Sequence, residues 1–137
     1  MRIKLFKEGT KLPEKKREGD AGWDIYLPED VVFMPYQTTV VDLCFGVEIP
    51  KGYAGLLAMR SSVCKKDLQI QMPLIDSNYR GSIHLMIYNP GFYPAEYKAG
   101  ERVCSLFVFP VFDEALEVVD ELSESNRGEN WSGSSGK

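Results

Sequence analysis

The chain has 137 residues, 44% of them apolar, and a formal charge of −4 from 16 Lys and Arg against 20 Asp and Glu. That is one domain's worth of sequence, with a real but modest core. The acidic balance argues against general nucleic-acid binding, no apolar run is long enough to span a membrane, and residues 1–4 show no secretory pattern.

In chain order, residues 14–20 (Glu-Lys-Lys-Arg-Glu-Gly-Asp) form a charged loop that reads as solvated surface. Ala21-Gly22-Trp23-Asp24-Ile25 follows, then a turn signal at Pro28-Glu29-Asp30. Val41, Leu43, Phe45, Val47 and Ile49 place apolar groups on one face, while Asp42 and Glu48 interrupt the other. Pro50-Lys51-Gly52 turns the chain into a strand that leads to Arg60-Ser61-Ser62, after which a helical turn can form.

Residues 74–83 pack an acid, an aromatic, an arginine and a glycine between strand-like apolar residues. They read as a hairpin holding the Asp76 carboxylate and the Tyr79 ring at its edge, with Arg80 nearby for an anion. The following strand alternates so that His84, the single histidine, faces away from the core and takes no catalytic role. One histidine also excludes a zinc site built on several. Asn89-Pro90-Gly91 and Lys98-Ala99-Gly100 are turns, and residues 103–109 are apolar on both faces, which places them in the centre of a sheet or against a partner chain.

A second helical turn is allowed around residues 113–116, and no longer stretch keeps a helical period. Short strands punctuated at this spacing indicate an all-β sandwich or barrel. Residues 123–137 contain one large apolar residue, Trp131, among Gly, Ser, Asn and charges, and cannot order themselves. The expected division is a β domain over residues 1–122 and a flexible C-terminal arm over 123–137. Cys44, Cys64 and Cys104 are odd in number and widely spaced among apolar residues, so they read as buried reduced thiols in the cytoplasm, or in a host's cytoplasm if the chain is viral.

Five segments, Ala21-Gly22-Trp23-Asp24-Ile25, Arg60-Ser61-Ser62, residues 74–81, Ala99-Gly100-Glu101-Arg102-Val103 and residues 127–136, occur in this order. Together they resemble the five motifs of the homotrimeric dUTP diphosphatases (dUTPases). The resemblance implies a distorted jelly-roll-like β-barrel whose trimer hydrolyses dUTP to dUMP and pyrophosphate with Mg²⁺. It also implies active sites between subunits, closed by the C-terminal arm acting as a lid. No nucleic acid or membrane partner is expected.

By the same resemblance, Asp76 is the general base for water attacking the α-phosphorus, and Tyr79 packs on the deoxyribose. Ser61 and Ser62 bind phosphate, Arg60 belongs to the surrounding polar network, and Asp24 acts on a neighbouring site residue or on metal-bound water. Main-chain groups over residues 70–75, Ile75 included, read uracil by their fixed polarity. Arg127, Gly133, Ser134 and Ser135 match the arm's grip on the triphosphate. Magnesium is held mainly by phosphates and water, so no protein metal ligand is assigned.

Four positions depart from the pattern. Pro73 stands where glycine is usual and removes an N–H from the base-reading segment. Ser105 replaces a glutamine that reaches phosphate, and the arm's aromatic position is Ser132, with Trp131 one place earlier as the candidate ring over uracil. Ser82, at a variable position, is expected to matter little. Two other readings compete: a dUTPase-like binding or regulatory protein with weak or no catalysis, and a dCTP deaminase of the same superfamily. The latter would need a glutamate near the exocyclic amine, and residues 74–83 offer none.

Overall fold

The longest strand forms where the sequence is apolar on both faces. The computed structural model describes residues 1–71, 74–126 and 128. In it β11 (Arg102–Pro110) lies between β2 (Trp23–Tyr26) and β6 (Tyr53–Met59), and β8 (Leu74–Ile75) completes a four-stranded sheet beyond β6. A second sheet runs in the order β4 (Thr38–Asp42), β9 (His84–Tyr88), β7 (Gln69–Gln71). Two ribbons flank them: β1 (Arg2–Leu5) with β5 (Phe45–Glu48), and β3 (Val31–Phe33) with β10 (Ala95–Tyr97). These pairings are all antiparallel. The expected all-β, jelly-roll-like class is what is found, although the sheets do not join into one closed barrel among the described residues.

The core is built from the inward face of each strand. Val41, Leu43, Phe45, Val47 and Ile49 are all buried, as their alternation predicts, yet they do not form one strand. Cys44 adopts a left-handed backbone (φ 58°), which breaks the run and passes it from the β4 sheet to the β1 ribbon. Leu43 bridges the break, its N–H bonded to the Ile83 carbonyl at 2.9 Å. Phe33, Leu85, Ile87, Val103 and Leu106 close the interior. Burying each such side chain stabilises the fold by about 1.5–3 kcal/mol.

Three expectations are corrected. Residues 113–116 form no helix: the chain from 111 to 119 is neither helix nor strand, and the helical turn is α1 (Ser61–Cys64) alone among the described residues. The thiols are not uniformly buried, because α1 turns Val63 inward and leaves Cys64 exposed, while Cys44 is half-buried. Only Cys104 is deep in the core, where burial, with the Asp24 charge adding to it, pushes its thiol up to about 12. Finally, residues 74–83 are not a paired hairpin. β8 pairs with β6 and β9 pairs with β4 and β7, so residues 76–83 form a crossing from one sheet to the other.

Candidate active site

Asp24 is the hub of one polar cluster. Its Oδ2 accepts from Arg102 Nη1 at 2.7 Å and Arg60 Nη1 at 3.1 Å, and its Oδ1 accepts from the Ser105 hydroxyl at 2.9 Å. The three elements meet because Asp24 on β2 lies opposite Ser105 on β11, while Arg60 closes β6 with its N–H on the Val103 carbonyl at 3.2 Å. Arg102 and Ser105 are three residues apart, and in a regular strand they would point to opposite faces. The register between β11 and β2 shifts between Arg102 and Cys104, leaving Val103 as an extra residue. That bulge re-aims Arg102 to the side of Ser105, so both reach the same carboxylate. Ser61 and Ser62 stand exposed on α1 immediately after Arg60.

The cluster floors an open cleft of about 600 Å³, whose walls include Lys16, Arg17, Asp20 and Phe107. Asp24 keeps only 17% of its side chain exposed, and both its oxygens are engaged. Ser105 donates its one hydroxyl proton to Asp24, so it holds the carboxylate in place rather than presenting a donor outward.

Asp76 is placed differently. It stands on the crossing after β8, exposed, and its carboxylate accepts no hydrogen bond among the described residues. Asp76 and Tyr79 line a pocket of about 220 Å³ together with Leu57, Ile75 and Met86. His84 faces out of the core as its alternation predicts, and that direction brings it to the wall of this pocket.

The crossing is fixed by its own side chains. Tyr79 N–H bonds the Asp76 carbonyl at 3.1 Å, and its phenol donates to the Ser82 carbonyl at 2.8 Å. Arg80 Nη1 bonds the Ser77 and Tyr79 carbonyls at 2.7 and 2.8 Å, and its Nη2 lies 3.5 Å from Glu48. Gly81 is required because a Cβ there would strike the Tyr79 phenol, and Gly46 because a Cβ would come 2.5 Å from the Gly81 carbonyl oxygen.

Ser82 matters more than its variability suggests: its hydroxyl bonds Asp42, which also accepts from Cys44 N–H at 2.8 Å. Those two bonds, the Ser82 hydroxyl foremost, hold the Asp42 carboxyl below the usual carboxylate range.

The two groups do not meet within one chain. Asp76 follows Ile75, which pairs with Gly55, whereas Asp24 lies level with Ala58 three strands away. With strands ~4.8 Å apart and a rise of ~3.4 Å per residue, roughly 20 Å separates the two carboxylates. Sequence reading missed Arg102, although it sits within the fourth segment. The available signal was a cation beside a two-faced apolar run; the bulge that turns it toward Asp24 has no local signature. Glu48, which pairs with Arg80 and with Arg2 Nε at 3.2 Å, was likewise read only as an interruption. The expectations for Arg127, Trp131, Gly133, Ser134 and Ser135, and for Pro73 and Ser132, lie outside the described residues.

Comparison with known proteins supplies the frame for this geometry. The dUTPase family model matches residues 8–136. The deoxyuridine 5'-triphosphate nucleotidohydrolase of Clostridium tetani is 31% identical over 140 residues, covering 100% of this chain and 97% of that protein. The enzyme of the same name from Escherichia phage T5 is 41% identical over 105 residues, covering 74% of this chain and 71% of that one. Among solved structures, the dUTPase of Staphylococcus bacteriophage 80alpha with dUpNHpp superposes with a TM-score of 0.89 at 32% identity, over 99% of this chain and 98% of that chain. The match runs the whole length of the sequence and takes in both carboxylates, and the chain therefore belongs to the dUTPase family, the dUTP diphosphatases.

Proposed function

We propose that this chain hydrolyses dUTP to dUMP and pyrophosphate, with Asp76 as the base for a water that attacks the α-phosphorus. One observation carries the assignment of the base: an exposed carboxylate with no protein partner among the described residues, on the wall of a half-open pocket beside Tyr79. Its lone pairs are open to a water, whereas both oxygens of Asp24 already accept hydrogen bonds, three in all. As the water oxygen bonds the α-phosphorus, its proton passes to Asp76. The bond from the α-phosphorus to the bridging oxygen breaks, and pyrophosphate leaves with the electron pair.

Tyr79, locked by Ser82 and lying over Gly81, offers a fixed flat surface for the sugar. Ile75 and its neighbours present backbone groups to the base. Ser61 and Ser62 offer hydroxyls to phosphate, Arg60 and Arg102 supply positive charge, and Asp24 and Ser105 position those two guanidiniums. Arg80 acts through the crossing it braces. Among the described residues no three Asp, Glu, His or Cys side chains converge as ligands. In this reading a Mg²⁺ would be held mainly by the substrate's phosphates and by water, as is usual for this ion. When bound, it neutralises charge on the triphosphate.

A site shared between copies of the chain brings the two carboxylate regions together, with a trimer as the assembly the family resemblance implies. Phe112, Leu116, Val118 and Leu122 support it: they lie on a segment that is neither helix nor strand, between 83% and 99% exposed, with no core of their own. Residues 123–137 are assigned as the arm that closes over the site.

The decisive assay is pyrophosphate release from dUTP in Mg²⁺, with the wild type beside Asp76→Asn. Wild-type turnover that the variant loses supports the assignment. Equal rates in both would remove Asp76 from the chemistry. Ammonia release from dCTP would point instead to deamination.

A further inference from the structure

We propose that Arg17 is a ligand of the β- and γ-phosphates, the end of the substrate that leaves as pyrophosphate. The assignment rests on dUTP hydrolysis as proposed above. Its loop reads in sequence as solvated surface, but the fold brings it to the cleft over Asp24. Glu14 N–H bonds the Asp24 carbonyl at 3.1 Å and Asp24 N–H bonds the Glu14 carbonyl at 2.8 Å, which hinges the loop on the hub residue itself. The far side is closed by Arg17 N–H on Asp20 Oδ2 at 2.9 Å and by Asp20 N–H on the Arg17 carbonyl at 3.3 Å. Asp20 therefore fixes the backbone that presents Arg17 at the cleft wall.

Charge points the same way. Lys16, Arg17, Arg60 and Arg102 line the cleft against only Asp20 and Asp24, a local excess of cations on a chain whose net charge is −4. The other cations have partners. Arg60 and Arg102 pair with Asp24, Lys16 pairs with Glu14, and Lys15 lies over the Trp23 ring at 4.5 Å. Arg17 alone of the four cleft-lining cations has no carboxylate partner among the described residues, and its side chain is exposed. A guanidinium presents paired N–H groups that match phosphate oxygens bidentately, which an ammonium cannot do. In a site shared between copies, the α-phosphoryl must lie within reach of another copy's Asp76, so the cleft over Asp24 is left to receive the distal phosphates.

The test uses the full-length protein with Arg17→Ala, Arg17→Lys and, as a charge-matched control away from the cleft, Lys98→Ala. Arg17→Ala is expected to raise KM for dUTP about tenfold, the scale of one charge-assisted hydrogen bond. It should weaken inhibition by pyrophosphate by a similar factor and leave dUMP affinity at the wild-type value. Arg17→Lys should recover part of the loss, and Lys98→Ala should match the wild type throughout. If Arg17→Ala behaves as Lys98→Ala toward dUTP and pyrophosphate, or weakens dUMP as much as dUTP, the assignment of Arg17 is overturned while the hydrolytic reading stands. A wild type that releases no pyrophosphate from dUTP overturns both.

Discussion

Asp24 and Asp76 are both carboxylates of the proposed site, and the fold treats them in opposite ways. Asp24 is drawn into the seam between β2, β11 and β6, where two guanidiniums and a hydroxyl engage both its oxygens. Asp76 is set on the crossing between sheets with nothing bonded to its side chain among the described residues. A carboxylate with both oxygens already accepting hydrogen bonds can hold other groups in place but leaves little room for a reacting water. A bare one can take a proton but does little for stability. The difference separates the task of organising positive charge from the task of activating water.

Exchanging Asp76 for Asn should have the largest effect, a fall in kcat of about 10²–10⁴, the range of general-base catalysis, with an unchanged melting temperature. A melting temperature that falls with kcat would show that Asp76 is a structural residue after all. Next comes mixing: Asp76→Asn and Arg60→Ala, each impaired alone, should regain dUTP turnover when dissociated and reassembled together. Recovery requires one site to draw its two halves from different copies; no recovery would confine each site to one chain.

Asp24→Asn should, unlike the Asp76 exchange, lower stability as well as turnover. It leaves two part-buried guanidiniums facing each other, and should cost about 2 kcal/mol in urea unfolding, below the range for a fully buried pair. The smallest effect belongs to Asp42. Its carboxyl is held low in the folded state, so the stability it contributes is present above the ordinary carboxylate pKa of about 4 and is lost as pH falls through the lowered folded value. Asp42→Asn should therefore lower the melting temperature at pH 7 and flatten its decline on the acid side, as measured by thermal scans between those limits.

Much of the fold was legible because burial follows period two. The inward set from Val41 to Ile49, the turns at Gly52 and Gly100, and the central position of residues 103–109 all follow from side-chain alternation and glycine at positive φ. What escaped were features decided by distant partners. Cys64 is exposed because α1 turns Val63 inward, and the Lys65-Lys66-Asp67 run that follows it was the local sign of a solvated side. The crossing after β8 resembles a hairpin locally, and only the pairing of β8 with β6 and of β9 with β4 shows otherwise. Of the site, Asp24, Arg60 and Ser105 were named singly, while the bond network among them depends on a register shift that no local pattern announces.

That register shift makes the arrangement a matter of counting. β11 carries one residue more than β2 needs, and its surplus at Val103 lets Arg102 and Ser105 look the same way. Deleting Val103 would straighten the ladder yet leave Arg102 two residues from Ser105, still on the Asp24 side, at the cost of one buried side chain. A gain of three nucleotides in frame between the codons of Ile25 and Tyr26 would instead give Val103 a partner, turn Arg102 away from Ser105, and so both dismantle the cationic floor and drive a charge into the core.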